Sequence, residues 1–196
     1  MSPAAVAGLI AFGYLCGSIP FGVVVTRLFT SKDVRAHGSG NIGATNVARV
    51  AGKKVGALVL VLDAVKGSVP VLVAVQLSAQ TPLLHVAVAY AAFLGHVFPV
   101  WLKGQGGKGV ATALGVLIVL IPQAALVGAV VWGALVVVTK VSSIGSLAGG
   151  LCAIVTSFFL GKPVEYPALA VVLLASMVWT HRGNLQRMVK GTENKV

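Results

Sequence analysis

The chain has 196 residues, 57% of them hydrophobic and 10% charged, with a mean hydropathy of +0.96. A soluble domain is nearer a quarter charged, and here the apolar residues run in long blocks, which excludes a soluble globular protein and points to a single polytopic membrane domain over residues 1–196. The formal net charge of +11, from 15 Lys and Arg against 4 Asp and Glu, lies mostly in short loops between apolar segments, as a positive-inside bias and an anionic substrate require and a nucleic-acid surface does not.

The first segment, Pro3–Phe29, is apolar except for Ser18, Thr26 and Arg27, with Pro20 inside it. It is long enough to cross a ~30 Å hydrocarbon core. No Lys or Arg precedes Arg27, so a signal peptide's basic start is missing and the N-terminus is expected outside the cytoplasm. Residues 30–54 form the first cytoplasmic segment, containing H-G-S-G-N-I-G-A-T-N-V-A-R from His37 to Arg49. Residues 55–78 form the second span. Asp63 and Lys66 stand three apart on one of its faces and are expected to pair, since lone charges are costly at membrane depth. Gln80-Thr81-Pro82 makes an outside turn, and residues 83–102 return to the cytoplasm.

There the sequence reads W-L-K-G-Q-G-G-K-G-V-A-T, with Gly104, Gly106, Gly107 and Gly109 set among Lys103 and Lys108. Glycines that admit φ > 0, lysines, and an apolar run starting a helix together predict an anion site built from exposed N–H groups. The remaining apolar sequence divides into spans 110–121, 123–139, 142–160 and 166–180, followed by a basic cytoplasmic tail over residues 181–196. Two of these spans are short, so seven helices are expected, with five as the alternative. Only Lys162 of the basic residues then falls in an outside loop. Cys16 and Cys152 lie in apolar runs and are expected to be buried thiols, not a disulfide.

Two stretches, Gly38 to Gly43 and Gly104 to Gly109, match G-x-G-x-x-G literally, but no strand precedes either and no βαβ unit can be drawn. The P-loop pattern fails as well, because Gly109 follows Lys108 where Ser or Thr is required. None of His37, His85, His96 or His181 has an Asp five positions later, so the His base of the usual glycerolipid acyltransferases is missing. Four carboxylates are too few to compose a Ser-His-Asp set, no metal-ligand spacing appears, and no cofactor is called for.

G-S-I-P-F-G (Gly17 to Gly22), the His37-to-Arg49 stretch, L-D-A-V-K-G (Leu62 to Gly67), G-H-V-F-P-V-W-L-K-G-Q-G-G-K-G-V-A-T (Gly95 to Thr112) and H-R-G-N-L-Q-R-M-V-K-G-T-E (His181 to Glu193) together resemble the PlsY family of bacterial acyl-phosphate:glycerol-3-phosphate acyltransferases. The resemblance covers nearly the whole chain. It implies an inner-membrane enzyme of seven short helices that transfers a fatty acyl group from acyl phosphate to the sn-1 hydroxyl of glycerol 3-phosphate, giving lysophosphatidic acid and phosphate. An upstream enzyme that forms the acyl phosphate is an implied partner. It also implies that Ser39, Arg49, His181 and Asn184 support activity, that the second-motif glycines serve glycerol 3-phosphate binding, and that Glu193 is structural.

The expected site therefore places Ser39, Arg49, Lys108, His181 and Asn184 in catalysis. Around the substrates it sets Gly40, Asn41, Gly43, Thr45, Asn46, Lys66, His96, Lys103, Gly104, Gly106, Gly107, Gly109 and Thr112, with Asp63 and Glu193 structural. Two phosphorylated substrates suit a basic site, and an acyl phosphate is already activated, so positioning and charge stabilisation suffice without an acyl-enzyme. The donor's own phosphate is the candidate proton acceptor and His181 its rival. A transporter for a small phosphorylated anion is the alternative, but its midplane charges and internal repeat are missing.

Overall fold

The computed structural model describes residues 1–196 and is all helical, with ten α-helices and no strand. The first apolar segment is not one helix. Helix α1 (Pro3–Ser18) stops, Ile19 is extended with ψ 118°, and α2 (Phe21–Phe29) restarts after Pro20. Proline supplies no N–H and disfavours helical geometry in the residue before it, so the helix breaks within the span Pro3–Phe29. By contrast α4 (Lys53–Leu77) keeps Pro70 within an unbroken helix, following the short α3 (Ala44–Ala51). α5 (Pro82–Val97) begins on its own proline and ends in a single 3-10 turn, Val100–Leu102. α6 (Val110–Leu120) and α7 (Pro122–Thr139) are parted by Pro122, and α8 (Ser142–Phe158), α9 (Glu165–Thr180) and α10 (Arg182–Val189) complete the chain. Four apolar helical stretches are long enough to cross a membrane: Pro3–Phe29, Lys53–Leu77, Pro82–Leu102 and Pro122–Thr139. The apolar helices α6, α8 and α9 are shorter.

The chain divides into two compact units, Met1–Val116 and Leu117–Val196. In the first, α1 lies on α5, and α4 packs against α1, α3 and α5. Val23, Val25, Val34, Ile42, Val47 and Val59 form its core beneath the first polar segment. α4 shows the polarity of a membrane helix. Leu58, Val61, Val65, Val69 and Leu72 make an exposed stripe at three- and four-residue spacing, while Asp63 and Lys66 are buried on the opposite side. Water would select the reverse arrangement; lipid selects this one.

In the second unit α7 lies along α8, and α8 along α9. The contact between α7 and α8 depends on small residues, since a Cβ on Gly128 would meet the Gly149 carbonyl oxygen at 2.9 Å and one on Gly149 would meet that of Gly128 at 2.5 Å. Cys16 and Cys152 are free thiols, half-buried where full burial was expected.

Candidate active site

The first polar segment is built around two short side chains. Asp33 accepts from Arg27 Nη2 at 3.1 Å and from Arg35 Nη2 at 2.7 Å, Nε at 3.0 Å and backbone N at 3.0 Å. The Arg35 side-chain and backbone donors, with Arg27 behind them, hold the Asp33 carboxyl well below the usual carboxylate range. Asp33 was not anticipated as an organiser; its signal was one acid two residues from one arginine and six from another.

Asn46 does the same work from beneath. The two hydrogens on its Nδ2 are shared among the carbonyls of Val34 (3.1 Å), His37 (3.0 Å) and Asn41 (2.9 Å), and its Oδ1 accepts from Ser39 N at 2.8 Å. The carboxamide is engaged at both ends by the loop and the residue, expected among the substrate-binding groups, is 2% exposed. Asn41 Oδ1 is likewise occupied by Gly43 N (2.8 Å) in the turn that starts α3. Ser39 and Gly40 stay exposed on the loop, while Thr45 and Arg49 stand one turn apart on α3.

The Gly/Lys run does not present the row of open amides expected from its sequence. The N–H groups of Gly104, Gly106 and Gly107 donate to the carbonyls of Pro99 (3.0 Å), Val97 (3.1 Å) and His96 (3.1 Å). Two of those carbonyls lie in the last turn of α5, where no later helical amide reaches them, and the third lies just beyond. A side chain on Gly107 would run into the His96 ring, so that glycine is required for the loop to fold back on the helix end. The amides without a carbonyl one turn back lie instead at the start of α6. Its first helical bond is Ala113 N to Gly109 O (2.7 Å), and Lys108 stands two residues before Val110, the first residue of the helix. Lys103, in the left-handed region at φ 51°, and Gly104 are exposed at the loop tip. Thr112, expected at the substrate, is fully buried, and its backbone lies so close to Gly67 on α4 that a Cβ there would meet the Thr112 carbonyl oxygen at 2.5 Å.

Below this loop lies a buried polar strut. Asp63 Oδ1 and Lys66 Nζ are 2.8 Å apart, each side chain 2% exposed. The Lys66 ammonium also donates to the Ile19 carbonyl at 2.8 Å and lies 5.8 Å from the Phe21 ring centroid. It thereby pins α4 to the break that Pro20 makes between α1 and α2. His96 Nδ1 lies 3.7 Å from Asp63 Oδ1, beyond hydrogen-bond reach. Lys66 and His96, expected around the substrates, are thus both buried beside Asp63.

His181 and Asn184 belong to the second unit. His181 closes α9, buried, with Nδ1 2.7 Å from the Met177 carbonyl. A carbonyl only accepts, so Nδ1 carries the proton and Nε2 is the acceptor of the neutral ring. Asn184 Nδ2 donates to Glu193 Oε1, which also accepts from Ser143 Oγ at 3.1 Å, while Arg187 Nε donates to Oε2 at 2.8 Å. Ser143 went unnoticed in the sequence, where nothing sets it apart from neighbouring Ser142.

Burial pushes the Glu193 carboxyl up, but the hydrogen bonds from Asn184, Arg187 and Ser143 outweigh it and hold it below its ordinary 4.5. A carboxyl depressed on folding stabilises above its ordinary value and loses that contribution as pH falls through the folded one. Protection of the amides over residues 182–196, taken relative to intrinsic exchange at each pH, is accordingly expected to fall below pH 4.5, and a Glu193→Gln variant to show low protection already at neutral pH.

The model of the family described as glycerol-3-phosphate acyltransferase matches residues 7–191. A glycerol-3-phosphate acyltransferase of Myxococcus xanthus (strain DK1622) is 60% identical over 187 residues, 95% of this chain and 97% of that protein. Two crystal structures of PlsY (YgiH), an integral membrane glycerol 3-phosphate acyltransferase, superpose closely. The glycerol 3-phosphate form gives a TM-score of 0.93 at 39% identity, covering 98% of this chain and 96% of that one. The lysophosphatidic acid form gives 0.91 at 38%, covering 97% and 95%. With family, relatives and fold in agreement over nearly its whole length, the chain belongs to the PlsY family of integral-membrane glycerol-3-phosphate acyltransferases.

Proposed function

We propose that this protein transfers a fatty acyl group from acyl phosphate to the sn-1 hydroxyl of glycerol 3-phosphate. The hydroxyl oxygen bonds to the acyl carbon and the carbon–oxygen bond to phosphate breaks. The electron pair leaves with the phosphate, which takes the hydroxyl proton. The products are lysophosphatidic acid and inorganic phosphate. Arg49 and Lys108 neutralise the phosphates, and Ser39, Asn41 and Thr45 add hydrogen bonds. His181 Nε2 and Asn184 orient the acceptor hydroxyl. Three of the four acids support this division of labour, since Asp33, Asp63 and Glu193 are each paired with a base and do not oppose an anionic ligand.

The observation that carries the reading is the setting of His181. Its Nδ1 lies 2.7 Å from the backbone carbonyl of Met177, a neutral partner that orients the ring without the basicity a carboxylate would lend, and an activated donor asks for no strong base. The relatives whose solved forms carry glycerol 3-phosphate and lysophosphatidic acid support the acceptor and the product. The distribution of basic residues supports a single seven-span domain in the bacterial inner membrane, with the N-terminus outside and the C-terminus and active site at the cytoplasmic face.

Purified protein given palmitoyl phosphate and labelled glycerol 3-phosphate is expected to form lysophosphatidic acid and phosphate one to one, and to form none from palmitoyl-CoA. Equal use of the thioester contradicts the donor assignment; uptake of glycerol 3-phosphate into vesicles without product establishes a transporter instead. His181→Gln is expected to keep kcat within about tenfold while raising KM for glycerol 3-phosphate, because general-base loss costs about 10²–10⁴ in rate and loss of orientation does not.

A further inference from the structure

We infer that Asn46 is a positioning residue that acts on the reaction through Ser39, an inference resting on the reading of Ser39 as catalytic. Ser39 lies in a loop with no helical ladder, between Gly38 at φ 61° and Gly40 at φ 71°. Both flanking residues are in the left-handed region, and the turn that carries the serine is closed by a backbone bond from Gly40 N to His37 O at 3.1 Å. What ties that turn to α3 is the carboxamide of Asn46, which accepts from the Ser39 amide at 2.8 Å and draws the carbonyls of Val34, His37 and Asn41 onto its own amino group. One side chain thereby gathers loop backbone from residue 34 to residue 41.

That side chain stands on α3, three residues before Arg49 and next to Thr45. Asn46 therefore fixes the exposed Ser39 relative to the helix that carries the phosphate-binding arginine, while being too deeply buried to touch a substrate. The chemistry needs a carboxamide specifically. Three acceptors face its donor end and one donor faces its acceptor end, so a carboxylate of the same shape would turn like against like. Gly38 belongs to the same device, since a Cβ placed there would strike Asn46 Oδ1.

A double-mutant cycle on the purified enzyme tests this. Asn46→Ala is expected to lower kcat about 100-fold, with KM for glycerol 3-phosphate changed less than ~3-fold; in a Ser39→Ala background the same replacement is expected to lower kcat by less than ~3-fold more. Gly38→Ala, which displaces the carboxamide without removing it, is expected to repeat the pattern and carries the cycle if Asn46→Ala does not fold. Losses that multiply in the Ser39→Ala background overturn the positioning role, as does a failure of both variants to fold, which makes Asn46 a folding residue. A Ser39→Ala enzyme with wild-type kcat instead overturns the catalytic reading of Ser39, and this inference with it.

Discussion

Asp63→Ala is expected to lower stability by about 3–5 kcal/mol, because it leaves the Lys66 ammonium buried without its counter-charge. In a chain of this size that corresponds to a fall of ~6–20 °C in the unfolding midpoint, measured in detergent by intrinsic fluorescence. The Ile19 carbonyl still accepts from Lys66, but a neutral oxygen does not replace a carboxylate 2.8 Å away. Changing both members of the pair, Asp63→Ala with Lys66→Met, is expected to recover most of the loss, since two apolar side chains leave no orphaned charge. A single variant within about 1 kcal/mol of the parent would show that the pair does not hold α4 to the break between α1 and α2.

Lys108→Ala is expected to lower kcat by about 10²–10³, the usual effect of deleting one fixed donor aimed at developing charge. Lys108 stands two residues before the first residue of α6, and on the proposed reading its charge and the first-turn amides act on the same anion. The control is Lys162→Ala, in an exposed turn between α8 and α9, expected to stay within about twofold because a solvated surface charge is screened by salt. Equal losses in both variants would mean that net charge, rather than a placed ammonium, matters. Steady-state rates at fixed ionic strength decide between them.

The apolar segments were legible because their only requirement is unbroken hydrophobic length, and the Asp63–Lys66 pair because both partners lie within one helical turn. Where the chain stops being helical, the sequence was read less well. Pro20 does lie inside the first span, but the break it makes there leaves Ile19 O to Lys66, forty-seven residues away, a partner no spacing rule offers. The Gly/Lys run predicts a row of open amides, but their acceptors are the carbonyls at the end of α5 and just beyond it, and those become available only because that helix stops at Val97. Pro99 was the visible clue to that stop. Asn46 looked like one more polar residue in a binding motif. Its burial follows from the packing of Val34 and Val47 beneath the loop, which no local pattern encodes. Ser143 and Glu193 meet across fifty residues and could not be paired by spacing.

The central claim is direct transfer between two positioned substrates. Rapid mixing of the enzyme with palmitoyl phosphate, glycerol 3-phosphate omitted, tests it by phosphate release and intact-protein mass. The account predicts no burst of phosphate and an unmodified mass, with release beginning only when the acceptor is added. A burst stoichiometric with enzyme, accompanied by the mass of a palmitoylated chain, would contradict it.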